Sequence, residues 1–443
     1  MYAQKVNAMK TILFILFSII ITPKVNAQFE VTEVGTLPDR VSNNAVCEGF
    51  IDGVPYLFSF GGIDSTKLYS GIHLKSFRYN IETEKSDRIA DLPDDLGKIA
   101  ASASRIGNII YIAGGYNVFA NNTENTTNKM HRYDIENNQY LTDGVDIPTP
   151  TDDHVQAVWR DSLIYLITGW NDTANIPNVQ IYNPSNDEWI MGTNVPNLDT
   201  YKSFGSSGVI VDDVIYYFGG ARSSGNFSIQ NQLRIGVINP DSPSEIDWSI
   251  SIPDLTVIGY RMAATSVDNE LHWIGGSNKT YNYNGIAYDG SGVVSPNKRD
   301  LYMTTEELEW NQHSPIEIPM DLRGIANVSK TVKYIAGGMI DNREVTNKIY
   351  KLVWKDPLST NNIEAESISV GPNPFIDFIT IKSEDKLIKK IECFDVNGSL
   401  MFTKTPNDKS IQLSTDHLAI GIYTLHIHVQ DETLVRKIIK AVK

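Results

Sequence analysis

Short apolar runs rich in aromatic and β-branched residues recur along most of this chain, and each one ends at a glycine pair or a close variant of it. The six copies end at Gly61-Gly62, Gly114-Gly115, Thr168-Gly169, Gly219-Gly220, Gly275-Gly276 and Gly337-Gly338. Counted from the first position of each pair (61, 114, 168, 219, 275 and 337), they lie 51 to 62 residues apart. Runs this short and this rich in β-formers, bounded by turn residues, predict strands rather than helices.

Each copy predicts a unit of four strands. A first strand, a two-residue polar turn and a second strand precede the glycines, as in Ile106-Gly107-Asn108-Ile109 and Val211-Asp212-Asp213-Val214. A variable loop follows the glycines, then a third strand that carries a tyrosine and a fourth that ends near a proline. A period close to 50 residues with four strands per copy predicts six radial blades around an axis.

The two ends of the repeat region predict how the circle closes. The last copy runs from Asn347 to Tyr350 and then reaches Asp356-Pro357 with no fourth strand. A spare segment near the start, Phe29–Pro38, has the pattern of a fourth strand with its closing proline. We therefore expect this segment to pair beside Tyr350, which would satisfy the open edges of both.

These features resemble the kelch family, whose repeats combine a double glycine with a downstream tyrosine and tryptophan. The resemblance covers residues 28–354 and implies an all-β fold, a six-bladed β-propeller. Thr168 departs from the pattern by replacing a glycine, and Arg88 and Tyr140 stand where tryptophan is usual. Because kelch propellers include sugar oxidases, sialic acid mutarotases and pure binding modules, the fold alone does not choose a function.

The N-terminal segment, residues 1–27, predicts a secretory signal peptide. Lys10 precedes the apolar run Ile12–Thr22, and Val25-Asn26-Ala27 forms a small-residue cleavage site. The run is too short to predict a membrane span, although an N-terminal anchor is the alternative interpretation.

A polar linker, residues 355–367, separates the repeats from a C-terminal segment, 368–443, whose alternating strands predict a small β-sandwich. Its motifs occur in the order Pro372–Phe375, Asp395–Gly398, Leu418–Tyr423 and Arg436–Lys440. This order resembles the type A C-terminal sorting domain of type IX secretion. The resemblance implies export by the type IX machinery and an extracellular or cell-surface location; an accessory adhesion domain is the alternative.

Charge and cysteine content exclude several classes of partner. The formal net charge is −15, with +3 on residues 1–27, −2 on 355–367 and +1 on 368–443, so residues 28–354 carry −17. Such a surface repels nucleic acid and anionic lipid. Two cysteines, Cys47 and Cys393, cannot build a disulfide framework or a thiolate metal cluster, and we predict neither a metal site nor a cofactor.

We expect a ligand site on the face that carries the long loops after the glycines, since function resides on loops held by a rigid scaffold. Basic side chains stand near the start of the first strand in five of six blades and predict a cationic rim around the channel mouth. An anionic ligand or nearby carboxylates would relieve their mutual repulsion, and a purely structural role is the alternative. The predicted ligand-binding residues, with two loop aromatics, are Lys98, His154, Lys202, Arg261, Arg323, Trp170 and Tyr283.

The function favoured by the sequence is a secreted or cell-surface module that binds a glycan or a protein partner without catalysis. The alternative is a carbohydrate-active enzyme resembling sialate mutarotases, with His154 and Asp153 as the candidate acid–base pair and Arg261 or Arg323 as the anchor for a carboxylate. The sequence argues against a copper-radical sugar oxidase, because its histidines and Cys47 form no recognisable ligand pattern.

Overall fold

The computed structural model describes residues 28–251, 257–355, 368–383, 386–396, 398–429 and 432–441. The predicted signal peptide and nearly all of the predicted linker lie outside the described residues. Within them, residues 28–355 form one compact unit, and the described residues from 368 onward belong to a second.

The first unit consists of six radial antiparallel sheets, which confirms the six-bladed propeller. The N-terminal strand is β1 (Gln28–Thr36), and the first blade contains β2 (Ala45–Ile51), β3 (Val54–Phe60), β4 (Ser76–Asn80) and β5 (Lys85–Ile89). The second contains β6 (Ser102–Ile106), β7 (Ile109–Ala113), β10 (Met130–Asp134) and β11 (Gln139–Tyr140), with β8 (Tyr116–Val118) and β9 (Glu124–Thr126) as a hairpin in its loop. The third contains β12 (Val155–Trp159), β13 (Leu163–Ile167), β16 (Val179–Asn183) and β17 (Glu188–Met191), with the hairpin β14 (Trp170–Asn171) and β15 (Ala174–Asn175).

The remaining three blades repeat the same order. The fourth contains β18 (Ser207–Val211), β19 (Val214–Phe218), β20 (Leu233–Asn239) and β21 (Ser242–Ser251). The fifth contains β22 (Ala263–Val267), β23 (Glu270–Ile274), β24 (Asp300–Thr304) and β25 (Asn311–His313). The last stretch of the unit supplies β26 (Arg323–Gly324), β27 (Ala326–Asn327), β28 (Val332–Ala336), the hairpin β29 (Met339–Ile340) and β30 (Glu344–Val345), and β31 (Lys348–Lys355). Two 3₁₀ turns, Tyr69–Gly71 and Asp341–Arg343, lie in the loops.

The sixth blade is closed by both ends of the propeller. Strand β1 pairs antiparallel with β31 from Gln28 opposite Lys355 to Thr36 opposite Lys348, and Glu33 lies opposite Tyr350. The predicted closure is therefore confirmed. Phe29 is 4% exposed, and its ring lies 5.0 Å from the rings of both His272 and Trp354, so the N-terminal strand is also anchored to the fifth blade.

The inner strands follow one another around the axis as β2, β6, β12, β18 and β22, and the circle returns to β2 through β26 and β27. The inner strand of the sixth blade is divided between two sheets. Its first part, β26, pairs in parallel with Ala45 and Val46 of the first blade, whereas β27 pairs with β28. Gly324 makes this crossing possible, because it has a φ of +135° and a Cβ there would lie 2.2 Å from the Val46 carbonyl oxygen.

The C-terminal unit is a sandwich of two sheets. One contains β32 (Ile368–Gly371), β33 (Phe378–Ser383) and β36 (Ser410–Ser414); the other contains β34 (Ile388–Phe394), β35 (Leu400–Lys404), β37 (Gly421–Val429) and β38 (Glu432–Lys440). Its core includes Phe375, Leu425 and Ile427, each fully buried. The motifs noted in the sequence meet at this core. Asn373 accepts a hydrogen bond from Ile439 N (2.9 Å), and Lys440 lies over the Phe375 ring at 5.6 Å.

Candidate functional site

One residue in each blade, just before the inner strand, has a left-handed backbone conformation. We call these six residues the axial ring: Asn43, Ala100, Asp153, Gly205, Arg261 and Asp321, with φ between +47° and +66°. The residue before each member forms a β-bridge with the residue that follows a glycine pair, as Asp152 does with Trp170. The axial ring therefore lies at the end of the channel that carries the long loops.

Hydrogen bonds link the axial ring from blade to blade. Asp153 N donates to Ala100 O (3.0 Å), Gly205 N to Asp153 O (2.8 Å), and Arg261 N to Gly205 O (2.8 Å). Three more hydrogen bonds complete the circle. Leu322 N donates to Arg261 O, Asn43 N donates to Asp321 O, and Ala100 N donates to the Asn43 side chain. In five of the six blades the amide of the left-handed residue itself donates to the neighbouring blade, and in the sixth the amide of the next residue, Leu322, does so.

Arg261 joins three blades at the axial ring. Its Nε and Nη2 donate to the two carboxylate oxygens of Asp153, the former at 3.1 Å, and its Nη1 donates to Asp321 Oδ1 at 2.9 Å. All three side chains are 2% exposed or less. Burial opposes the guanidinium charge, but the two carboxylates outweigh it and raise the pKa of Arg261. The arginine is thus a charged connector within the fold.

Aromatic side chains from the loops cover this connector. The Arg261 guanidinium lies 5.2 Å from the Tyr260 ring centre and 5.5 Å from that of Tyr281. Trp170 contacts Phe204 and Phe227 edge-on, at 5.5 Å in both cases. Tyr283 is 9% exposed and packs in a cluster with Ile63, Ile99 and Tyr116. The two predicted loop aromatics therefore pack against other side chains of the loop face.

The predicted cationic rim does not form as a ring. Relative to the axial ring, Lys98 lies two residues earlier, Lys202 three earlier, His154 one later and Arg323 two later, and only Arg261 is a member. Side chains at such different register positions point to different surroundings. Lys98, for example, is buried between Asp94 (2.6 Å) and His131 Nε2 (2.9 Å). The binding role of these residues stays a prediction.

Three of the predicted residues, His154, Arg261 and Arg323, meet around Asp153. Arg323 Nη2 donates to the His154 carbonyl oxygen (2.8 Å) and to Ser102 Oγ (2.9 Å), and Nη1 lies 3.5 Å from Asp153. Burial and then the Arg323 charge lower the pKa of His154 to about 3. The imidazole is therefore neutral at physiological pH and a weak base.

A central cavity of about 680 Å³ follows the inner strands. Its lining extends from His154 and Arg323, beside the axial ring, to Asp161, Asp268 and Lys330 in the short turns at the other end. Because the axial ring and the loop aromatics fill the loop end, the mouth lies on the short-turn face. The ligand site predicted from the sequence lies on the opposite, loop-rich face, and that location stays a prediction.

Sequence reasoning identified His154 and Arg323 but missed the other polar residues that line this cavity. Small and polar side chains form much of the wall, among them Ser104, Gln156, Thr265, Ser266 and Asn327. Lys333 also lines it and is 3% exposed. A basic residue inside an otherwise apolar second strand, Val332–Ala336, was the available signal for this position. Within the described residues, no group of three or more histidine, cysteine or acidic side chains is arranged to hold a metal ion.

Comparison with known proteins agrees with this architecture. Residues 369–441 match the secretion system C-terminal sorting domain, and residues 100–140 match the kelch motif. The chain is a β-propeller protein that contains a kelch motif and a C-terminal sorting domain. This kelch propeller is similar to the solved structure of YjhT, with a TM-score of 0.57 and 13% identity over 73% of this chain and 100% of that one, which supports the fold alone.

The curated relatives of this propeller match it over only part of their length. It is 29% identical over 171 residues to kelch repeat and BTB domain-containing protein 2 of Ectromelia virus (38% of this chain, 28% of the relative). It is 23% identical to Kelch-like protein 36 of Bos taurus, over 53% of this chain and 39% of the relative. It is also 23% identical to Kelch-like protein 26 of Danio rerio, over 64% of this chain and 42% of the relative. The matches span less than half of each relative's length.

The sorting domain identifies the chain as a secreted protein of the cell surface or medium. Over the part of the chain that the structure describes, no helix is long and apolar enough to cross a bilayer.

Proposed function

We propose that this secreted kelch propeller is a binding module whose ligand enters the central cavity from the short-turn face. The observation that carries the proposal is the cavity itself, about 680 Å³ and closed at its loop end by the axial ring. Pockets for small molecules commonly have volumes of about 300–1,000 Å³. Of the two ligand classes predicted from the sequence, a glycan terminus fits this space better than a folded protein surface does.

The polar wall supports a ligand rich in hydroxyl groups. Thr265 Oγ1 donates to Asn327 Oδ1 (2.6 Å), and Gln156 Nε2 donates to Ser104 Oγ (2.9 Å). Each of these groups keeps further donor or acceptor capacity, since a hydroxyl offers one donor and two lone pairs. Sugar hydroxyls could join these pairs without leaving a buried polar group unsatisfied.

The test is a glycan array with the fluorescently labelled full-length protein, followed by titration of any hit. A cavity-filling variant, Ser266→Trp, should abolish binding, because Ser266 lines the cavity. The matched control places the same bulk elsewhere: Val237→Trp, at a side chain 49% exposed, should bind as the unmodified protein does. Undiminished binding by a folded Ser266→Trp variant would contradict a cavity site, and capture of a protein partner alone would favour the other ligand class.

One observation favours the isomerase as a second candidate: His154 and Arg323 line the same cavity. The arrangement is unfavourable for acid–base work, since Asp153 is paired with Arg261 and His154 has a pKa of about 3. Proton-exchange measurements of anomer interconversion on any bound sugar separate the two functions. Binding without rate enhancement supports the module. Enhancement that is lost in a folded Arg323→Ala variant would support the enzyme.

A further inference from the structure

The charges that line the central cavity are balanced by partners with one buried exception. The charged or titratable side chains of the lining are Cys47, Glu48, Arg105, His154, Asp161, Asp268, Arg323, Lys330 and Lys333. Arg105 lies 3.6 Å from Glu48, Arg323 lies 3.5 Å from Asp153, and Lys330 pairs with Asp268 at the mouth. Three of the four basic side chains therefore have a carboxylate partner.

Lys333 is the fourth basic side chain, and its amine has no hydrogen-bond or ion-pair partner among the described residues. The residue is 3% exposed overall and lines the cavity. Glu48 is the acidic residue that influences it, but this carboxylate accepts a hydrogen bond from Asn327 N (2.9 Å) and pairs with Arg105. Burial lowers the pKa of Lys333 to about 8, and the attraction of Glu48 only partly opposes that fall.

A lysine that is 3% exposed and has no carboxylate partner is uncommon, because burying a charge is unfavourable unless it is paired. The neighbouring wall is polar and includes Thr265 and Asn327. Lys333 is held by a regular strand pairing, with its Cα opposite Asn327 and Leu352, so its position does not depend on a loop. A cation fixed in a cavity in this way is suited to an anionic group on a ligand.

We propose that Lys333 is the recognition site for an anionic group, a carboxylate or phosphate, on the small ligand of the central cavity. This inference rests on the proposed function and specifies its ligand as acidic. The ammonium would donate to the anion, and the neighbouring hydroxyl and amide groups of Thr265, Ser266 and Asn327 would complete the contacts. A neutral analogue of the same ligand would leave Lys333 without a partner and bind more weakly.

The first test is calorimetric titration of the full-length protein with D-glucuronate, D-glucose and inorganic phosphate. We expect glucuronate to bind at least about tenfold more tightly than glucose, as a charge-assisted hydrogen bond in a buried site requires. Inorganic phosphate tests whether the site binds a phosphate group in place of a carboxylate. Lys333→Met should weaken binding of the preferred anion by about tenfold or more. The matched control, Lys330→Met, removes a lysine whose charge Asp268 already balances at the mouth and should change affinity by less than about twofold.

The second test uses pH, which distinguishes recognition by Lys333 from a packing role. Because an anion raises the amine's pKa above its free value of about 8, affinity should be full below pH 8 and should fall as the pH rises above it. Lys333→Arg keeps its charge throughout this range and should lose that dependence. If Lys333→Met does not fold, titration of the ¹³C-dimethylated lysines of the unmodified protein gives the same answer, because only the Lys333 signal should shift on anion addition.

The outcomes are distinguishable. Equal affinity for glucuronate and glucose, unchanged in Lys333→Met, would overturn the anionic inference and leave the cavity a neutral-sugar site. Failure of both anions to bind the unmodified protein would also overturn it. Binding of an array glycan that survives Ser266→Trp would instead overturn the cavity as the binding site.

Discussion

Replacing Arg261 by methionine should destabilise the propeller strongly. Methionine keeps an unbranched side chain of similar reach but removes three charge-assisted hydrogen bonds to Asp153 and Asp321. Breaking a buried ion pair by removing one partner typically costs about 3–5 kcal/mol, a large part of the roughly 5–15 kcal/mol that stabilises a folded protein. Arg323 still lies 3.5 Å from Asp153, so the unpaired charge in the variant is chiefly that of Asp321.

Urea unfolding of the full-length protein near neutral pH, followed by tryptophan fluorescence, measures this loss. The informative control is Arg261→Met combined with Asp321→Asn, which removes the orphaned charge. This double variant should regain at least about half of the lost free energy, because the cost comes from an uncompensated buried carboxylate and not from the missing side chain. A loss below about 1 kcal/mol in Arg261→Met, or no recovery in the double variant, would refute the connector role.

Three further predictions follow from buried contacts. Thr168 holds φ +53°, and its Oγ1 accepts a hydrogen bond from Ser203 N (2.9 Å). Thr168→Val keeps the β-branched shape but removes the hydroxyl, so it should lose about 1–3 kcal/mol in urea unfolding, and an unchanged stability would contradict the role of this hydrogen bond. Phe29→Ala should cost about 3–5 kcal/mol and lower the melting temperature, because its ring anchors β1 against His272; an unchanged melting temperature would contradict the anchor. His154 has its pKa lowered to about 3, so its stabilising contribution is present above its unfolded value of 6.5 and is lost as the pH falls toward 3. His154→Gln should flatten the stability-against-pH curve in that window, and an unchanged slope would contradict its buried neutral state.

The blade count and the closure could be predicted because their signals are local and repeated. A glycine pair marks the end of each second strand wherever the close packing of blades excludes a Cβ: one on Gly114 would lie 2.1 Å from Thr151 O, and one on Gly219 would lie 2.1 Å from Gly259 O. The N-terminal strand was recognisable because the sixth repeat lacks a fourth strand, and Glu33 does pair opposite Tyr350.

The site could not be predicted in the same way, because it depends on register and on distant partners. Arg261 bonds to residues 108 and 60 positions away in the sequence, and nothing local to it identifies Asp153 and Asp321 as those partners. The predicted rim took one basic residue from each of five blades as equivalent, although their positions differ by up to five residues in register. In a propeller, a shift of one residue is enough to turn a side chain from the channel to the neighbouring blade. The left-handed backbone of the axial ring has no single sequence signature, since alanine and arginine adopt it there beside glycine and asparagine.

The acidity of the propeller and an anionic ligand are compatible once the location of the charges is considered. The carboxylates and guanidinium groups at the axis, Asp153 and Asp321 with Arg261 and Arg323, cancel one another, so the net charge of −17 on residues 28–354 must come from elsewhere in the unit. Surface charges are screened beyond a Debye length of about 8–10 Å at physiological salt. A small monoanion can pass this barrier and reach Lys333 inside the cavity, whereas a polyanion such as nucleic acid meets many repelling carboxylates at once. Lys333 is the buried cation without a carboxylate partner among the described residues that line the cavity, so the proposed binding is to small acidic ligands and not to large ones.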